Sequence, residues 1–148
     1  MNIPVDKNRR WIKSLHQGID QLNEDLKAAV MKPAGMSCAS DLLSFCEDQL
    51  GKKIDTIEDL VTGWNLLRDS RGLHGNWKLE NGAVHGVFYE CGCRLVRSGM
   101  IELHPVQCYC SQALMETAFS MVAKTAVEVD IKQSIGKGDD VCEFLVRL

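Results

Sequence analysis

The sequence has no long apolar run and no excess of basic charge. No stretch approaches the roughly 20 apolar residues of a membrane-spanning helix, and the first residues lack the apolar core of a signal peptide. The formal net charge is -3, which gives no bulk attraction to nucleic acid or to an anionic membrane. We therefore expect a cytoplasmic protein that binds neither nucleic acid nor membranes.

Proline is scarce, and no Pro- or Ser-rich linker, internal repeat or low-complexity segment interrupts the chain of 148 residues. This length suits one domain of ordinary size, so we expect a single domain over residues 1–148. A helical half, 1–72, precedes a strand-forming half, 73–148. Such segregation of helices and strands is typical of α+β folds.

Common catalytic and nucleotide-binding motifs are also missing: there is no Walker loop, Gly-x-Gly-x-x-Gly, His-Glu-x-x-His or Gly-x-Ser-x-Gly. Cysteine, in contrast, is plentiful. The count of 7 is odd, so the cysteines cannot all pair as disulfides within one chain. In a cytoplasmic protein they are expected to be metal-binding, catalytic or buried.

The first helix is predicted over roughly 8–30, ending before Pro33 and Gly35. Its apolar positions alternate steps of three and four, which predicts one apolar face. That face either packs on the core or forms the seam of a homodimer. The members of the stripe are Ile12, Leu15, Ile19, Leu22, Leu26 and Ala29.

Two further helices follow in the first half. The second is predicted over about 38–50, with Gly51 as its stop. The third begins at Asp55, which has capping-box spacing to Glu58, and ends at Gly72.

The second half changes to the two-residue period of strands. Asn81-Gly82 between two alternating runs predicts a hairpin that pairs Glu80 with Ala83 and Trp77 with Gly86. Gly86 then leaves room for the Trp77 ring. A helix from Ser111 and two more strands, 127–132 and 142–148, complete a β-β-α-β-β order. The sequence thus predicts helices packed on a mainly antiparallel four-stranded sheet.

Two Cys-x-Cys pairs are the strongest chemical feature. The second strand of the hairpin is expected to continue into Cys91-Gly92-Cys93, and residues two apart on a strand face the same side. With Cys108 and Cys110, these thiols could supply the four soft ligands of a tetrahedral zinc or iron site. The alternatives are a redox or nucleophilic role and inert packing.

Cys110 has a second possible role, because it precedes the predicted start of a helix at Ser111. The field of a helix N-terminus lowers the pKa of a nearby thiol. If the protein is an enzyme, Cys110 is the candidate nucleophile and His104 the candidate base. Cys38 could approach the other thiols as a fifth sulfur. The two remaining cysteines are expected in the core: Cys46 and Cys142.

The C-terminal half resembles a known family. The residues that carry the resemblance are Cys91-Gly92-Cys93, Cys108-Tyr109-Cys110, Val127-Glu128-Val129, Ser134-Ile135 and the closing run from Gly138 through Cys142 to Phe144. Over about 85–148, the order is similar to that of small prokaryotic proteins related to the 4-vinyl reductase domain. It is also similar to L-2-amino-thiazoline-4-carboxylic acid hydrolase-like proteins. The first resemblance implies a small-molecule pocket between helices and sheet, and the second implies opening of a sulfur heterocycle.

The leading hypothesis is therefore a small-molecule-binding or sensory module with a zinc ion, or iron as the alternative, on Cys91, Cys93, Cys108 and Cys110. Its ligand would be a small apolar or heterocyclic molecule in an adjacent apolar pocket. One alternative is a cysteine-dependent hydrolase of a small heterocycle or amide. The other is a dimeric interaction domain in which the cysteines are structural.

Overall fold

A computed structural model describes residues 4–148 of the chain. Six α-helices lie in this part: α1 Val5–Asp20, α2 Glu24–Ser37, α3 Ala39–Leu50, α4 Ile57–Ser70, α5 Arg94–Arg97 and α6 Gln107–Ala123. Four strands form one sheet: β1 Gly75–Glu80, β2 Ala83–Phe88, β3 Glu128–Gln133 and β4 Cys142–Arg147. The order across the sheet is β1-β2-β4-β3, and every neighbouring pair is antiparallel. The predicted α+β fold, with helices packed on a four-stranded antiparallel sheet, is confirmed.

The core lies between the sheet and helices α3, α4 and α6. Aromatic rings fill its centre, with Trp77 of β1 in contact with Trp64, Phe88, Phe119 and Phe144. Hydrogen bonds fix the two layers to each other. The Asn65 side chain on α4 bonds both the N–H and the carbonyl of Trp77, and Gln112 on α6 donates to the Val129 carbonyl on β3.

The predicted helix over 8–30 is wrong, because two helices occupy this stretch. Asn23 begins α2 by accepting a hydrogen bond from the Leu26 N–H, an N-cap that ends the continuous helix after α1. The second helix then continues through Pro33 to Ser37. Gly35, predicted to lie beyond the helix end, is instead buried where α2 crosses α6.

The other helices of the first half lie close to their predicted positions. Helix α3 ends at Gly51, whose φ of 73° is the left-handed conformation that favours glycine. The capping box of α4 is formed by Thr56 and Asp59 rather than by the predicted Asp55 and Glu58.

The hairpin has the predicted register, with Glu80 opposite Ala83 and Trp77 opposite Gly86. Two boundaries beyond it are wrong. Strand β2 ends at Phe88, so Cys91 and Cys93 lie in a loop that leads into the unpredicted α5. Helix α6 begins at Gln107, four residues before the predicted start.

Candidate functional site

The two cysteine pairs do not have the backbone geometry that the sequence suggested. Cys91 and Cys93 lie outside any strand, and Cys108 and Cys110 lie in the first turns of α6. Residues two apart on a helix are rotated by about 200° around its axis. The sulfurs of Cys108 and Cys110 therefore leave α6 on different sides, and the argument from one shared strand face does not apply.

Cys108 contacts Ser134, the residue that follows β3. It is buried, and its sulfur lies 2.7 Å from the Ser134 hydroxyl. Cys142 lies near this pair, because it contacts Ile135, the residue that follows Ser134; burial is the main cause of the raised pKa of its thiol. The Cys142 sulfur accepts a hydrogen bond from the Ile135 N–H at 3.4 Å. Cys142, predicted to lie in the core, is half-buried at its edge.

Cys110 is influenced by different thiols. Burial, with smaller contributions from the charges of Cys38 and Cys93, raises the pKa of Cys110 to about 11. Burial thus acts against the activation expected from the helix N-terminus, and the role of Cys110 as a nucleophile stays a prediction. Cys38 is exposed, and its place as a fifth sulfur stays a prediction. Cys46 is fully buried in the core, as predicted.

His104 is not hydrogen-bonded to Cys110. Its ring packs against His16 with centroids 5.4 Å apart, and its Nδ1 accepts a hydrogen bond from the Val106 N–H at 3.2 Å. Over residues 4–148, no three or more His, Cys, Asp or Glu side chains are arranged to hold a metal ion. The four-cysteine zinc or iron site and the Cys110–His104 pair both stay predictions.

A groove of about 820 Å³ runs along α2 and α6. Small side chains form much of its wall, including Ala28 and Ala29 on α2 and Ala113 on α6. Met36 and Met121 also line it, and their flexible side chains adapt to different apolar shapes. The groove is therefore a mainly apolar surface depression rather than an enclosed cavity.

Polar groups lie along the same groove. Lys32 on α2 and Glu116 on α6 both line it. Burial raises the pKa of Glu116, while the Val129 N–H and Lys32 act in the opposite direction. The groove thus combines apolar walls with one cation and one carboxyl group, an arrangement that suits a small amphipathic ligand.

A second, more polar cavity of about 490 Å³ shares the lining residues Tyr109 and Gln112 with the groove. Cys108 lines it together with Asp130, Lys132 and Lys137. The family resemblance implied a pocket, but no residue pattern located either cavity, because both depend on how α2 and α6 pack. The only hint was the alanine-rich composition of α2, which is common in helices of any role.

Solved structures similar to this chain share the fold at low sequence identity. A trafficking protein particle complex subunit 3 from Naegleria fowleri, covalently bound to palmitic acid, has a TM-score of 0.64 and 14% identity, covering 97% of this chain and 93% of that one. An H-NOX protein from S. oneidensis in the Fe(II)NO ligation state has a TM-score of 0.59 and 16% identity, covering 100% and 77%. The phenol-responsive sensory domain of the transcription activator PoxR, with phenol, has a TM-score of 0.57 and 13% identity, covering 99% and 75%.

No curated protein matches the sequence. The resemblance to the 4-vinyl reductase domain and to the thiazoline hydrolase-like proteins stays a prediction. Residues 2–148 match the family described as "Family of unknown function (DUF6144)". Because this match spans nearly the whole chain, the protein belongs to the DUF6144 family.

Proposed function

We propose that this protein is a small-molecule-binding sensory module whose ligand site is the groove between α2 and α6. The groove carries the proposal, because about 820 Å³ is within the range of small-molecule sites, roughly 300–1,000 Å³. The likeness to a phenol-responsive sensory domain and to H-NOX proteins supports it at the level of the fold.

The expected ligand has an apolar body and one polar group. Alanine and methionine side chains would contact the body, while Lys32 and Glu116 would bind the polar group. Phenol and palmitate are suitable probes, because similar structures are described with phenol and with palmitic acid. They differ in length, so the stronger binder would identify the ligand class.

Binding is best measured by isothermal titration calorimetry with each probe. Ala29→Trp places a large ring in the groove, and we expect it to lower affinity at least tenfold. Ala34→Trp is the matched control, since Ala34 is also an exposed alanine on α2 but does not line the groove. Equal loss in both variants, or no binding of either probe to the wild type, would refute the proposed site.

A cysteine-bound zinc ion is a separate part of the proposal. Its support is that the charge of Cys93, after burial, contributes to raising the pKa of both the Cys91 and the Cys110 thiols, which links the two pairs. If zinc binds the predicted ligands, protein purified under reducing conditions should contain one zinc ion per chain. Those ligands are Cys91, Cys93, Cys108 and Cys110. Elemental analysis of the four single Cys→Ser variants tests this composition, because each one should lose the metal.

We also propose that the module works as a cytoplasmic homodimer. None of the helices in residues 4–148 has the length and apolar character needed to cross a bilayer. Six large apolar side chains on α1 and α2 are exposed: Val5, Trp11, Leu15, Leu26, Val30 and Met36. Such a concentration of exposed apolar residues favours a protein interface.

A further inference from the structure

Arg68 is a buried cation that forms no salt bridge with a carboxylate of residues 4–148. The residue is only 6% exposed, on the face of α4 that meets the sheet. Its Cζ lies 4.1 Å from the centre of the Phe88 ring. No carboxylate lies within ion-pair distance of it in the described part of the chain. A buried charge without a counter-charge is unfavourable, so this arrangement requires a physical explanation.

Most N–H donors of the guanidinium group have no hydrogen-bond acceptor among residues 4–148. One N–H of Nη2 donates to the His74 carbonyl at 3.1 Å. Nε is fully buried and has no acceptor among the described residues. Glu90 is the nearby acidic residue, but its carboxylate already accepts hydrogen bonds from the His74 backbone N–H and ring. Arg68 therefore has free donors that the surrounding chain does not satisfy.

The loop from Tyr89 to Cys93 covers this guanidinium group. A Cβ on Gly92 would lie 2.8 Å from Nη1, so glycine allows the loop backbone to approach it closely. The flanking Cys91 and Cys93 are half-buried, and the segment belongs to no helix or strand. A covering of irregular backbone can move aside more readily than a strand of the sheet.

We infer that Arg68 is a receptor for the carboxylate group of a small organic acid that binds between α4 and the loop Tyr89–Cys93. Arginine presents a planar set of N–H donors that matches the two oxygens of a carboxylate. A bound carboxylate would supply both the missing negative charge and the missing acceptors. This site is distinct from the α2–α6 groove, whose lining does not include Arg68.

Benzoate is the probe, and benzamide is its uncharged counterpart of the same shape. The shift in unfolding temperature is measured with each compound, and acetate and hexanoate extend the carboxylate series. We expect at least one carboxylate to raise the unfolding temperature of the wild type, while benzamide does not. Absence of a shift with all three carboxylates, or an equal shift with benzamide, would overturn the inference.

Arg68→Met removes the charge and keeps an apolar side chain, and we expect it to abolish the carboxylate-dependent shift. Arg71→Met is the matched control at the C-cap of α4, because Arg71 also lies over an aromatic ring, that of Phe45 at 5.5 Å. Arg68→Lys keeps the charge without the planar fork, so its shift should be smaller than that of the wild type. An unchanged shift in Arg68→Met would contradict the assignment.

A measurement on the wild type covers the case in which Arg68→Met does not fold. Phenylglyoxal modifies arginines that it can reach, and it reaches the buried Arg68 when the loop Tyr89–Cys93 moves aside; peptide mapping locates the modified positions. We expect benzoate to slow modification of Arg68 at least threefold without slowing that of Arg71. Equal protection of both arginines, or none, would count against the site.

The benzoate-dependent shift in unfolding temperature also separates the two proposals. Ala29→Trp should lose ligand binding in the α2–α6 groove and keep the benzoate effect.

Discussion

Gly86 lies directly opposite Trp77 on the paired strands β1 and β2. A Cβ at position 86 would lie 2.6 Å from Cε3 of Trp77 and 2.7 Å from Cε2 of Phe88. Real side chains do not approach so closely, so the glycine is required for the Trp77 and Phe88 rings to occupy these positions. The Trp77 ring in turn contacts Phe119 of α6, which makes this pair part of the contact between sheet and helices.

Replacing this glycine should therefore destabilise the fold. We expect Gly86→Ala to lower the free energy of unfolding by about 1–3 kcal/mol through overpacking. Gly18→Ala is the control, because nothing lies within 4 Å of a Cβ at Gly18 on α1. Alanine in a helix is favoured over glycine by roughly 0.5–1 kcal/mol, so this variant should be slightly more stable. Urea denaturation of both variants tests the difference, and equal effects would contradict it.

The hairpin could be predicted from the sequence because its information is local. Asn81-Gly82 specifies the turn, and a two-residue turn fixes the register of every later pair, including Trp77 with Gly86. The alternation of apolar and polar residues similarly located β3 and β4. The α+β architecture followed from these patterns together with the amphipathic helices.

The backbone conformation of the two cysteine pairs could not be predicted in the same way. The start of α6 at Gln107 is not marked by a side-chain cap, and its N-cap residue is Val106. No local signal therefore showed that Cys108 and Cys110 are helical. The contacts of Arg68 could not be predicted from the sequence either. Phe88 and Gly92 lie next to Arg68 only because α4 packs on the sheet.

The crossing of α2 and α6 at Gly35 should be very sensitive to side-chain size. A Cβ there would lie 2.2 Å from the Cys110 carbonyl oxygen and 2.9 Å from the Leu114 backbone nitrogen. Backbone atoms cannot move as a side chain can, so the helices must separate. We expect Gly35→Ala to cost about 3 kcal/mol, the upper part of the usual overpacking range. Thermal unfolding followed by circular dichroism measures this, and an unchanged midpoint would show that the helices adjust freely.

The thiols should differ widely in their rates of alkylation. Cys38 is exposed, whereas burial raises the pKa of Cys110 to about 11. The reactive thiolate of Cys110 therefore accumulates only as the pH approaches that value, and we expect slow reaction at pH 7. Iodoacetamide labelling with peptide mass mapping at pH 7 and pH 10 should show Cys38 modified first. Rapid labelling of Cys110 at pH 7, slowed by His104→Ala, would instead support the cysteine hydrolase.

His16 should make the protein less stable in mild acid. Burial and the adjacent His104 lower the pKa of His16 below its ordinary value of 6.5. Near and below pH 6.5, the unfolded chain binds a proton at His16 more readily than the folded protein, so stability falls as the pH falls. The expected loss is about 1.4 kcal/mol for each unit by which the two pKa values differ. Urea titrations from pH 7.5 to 5 check this, and His16→Gln should flatten the profile.

The proposed dimer can be tested through α1. Trp11 is 65% exposed, and Leu15 lies one turn further along the helix. Basic residues are concentrated toward the start of α1: Lys7, Arg9, Arg10 and Lys13. Acidic residues lie at the end of α1 and the start of α2: Asp20, Glu24 and Asp25. An antiparallel pair of α1 helices would bring the basic end of each chain to the acidic end of its partner, while a parallel pair would place like charges together.

We therefore expect light scattering at micromolar concentration to give twice the chain mass of 16.5 kDa. Trp11→Ser removes the largest exposed apolar side chain of α1, and it should shift the protein to the monomer. Leu66→Ser is the matched control, because Leu66 is an exposed apolar residue on α4. Since the charge pairing is screened by salt, dissociation of the wild type should increase between 50 mM and 500 mM sodium chloride. A wild-type mass of 16.5 kDa at low salt would show instead that α1 is not a dimer surface.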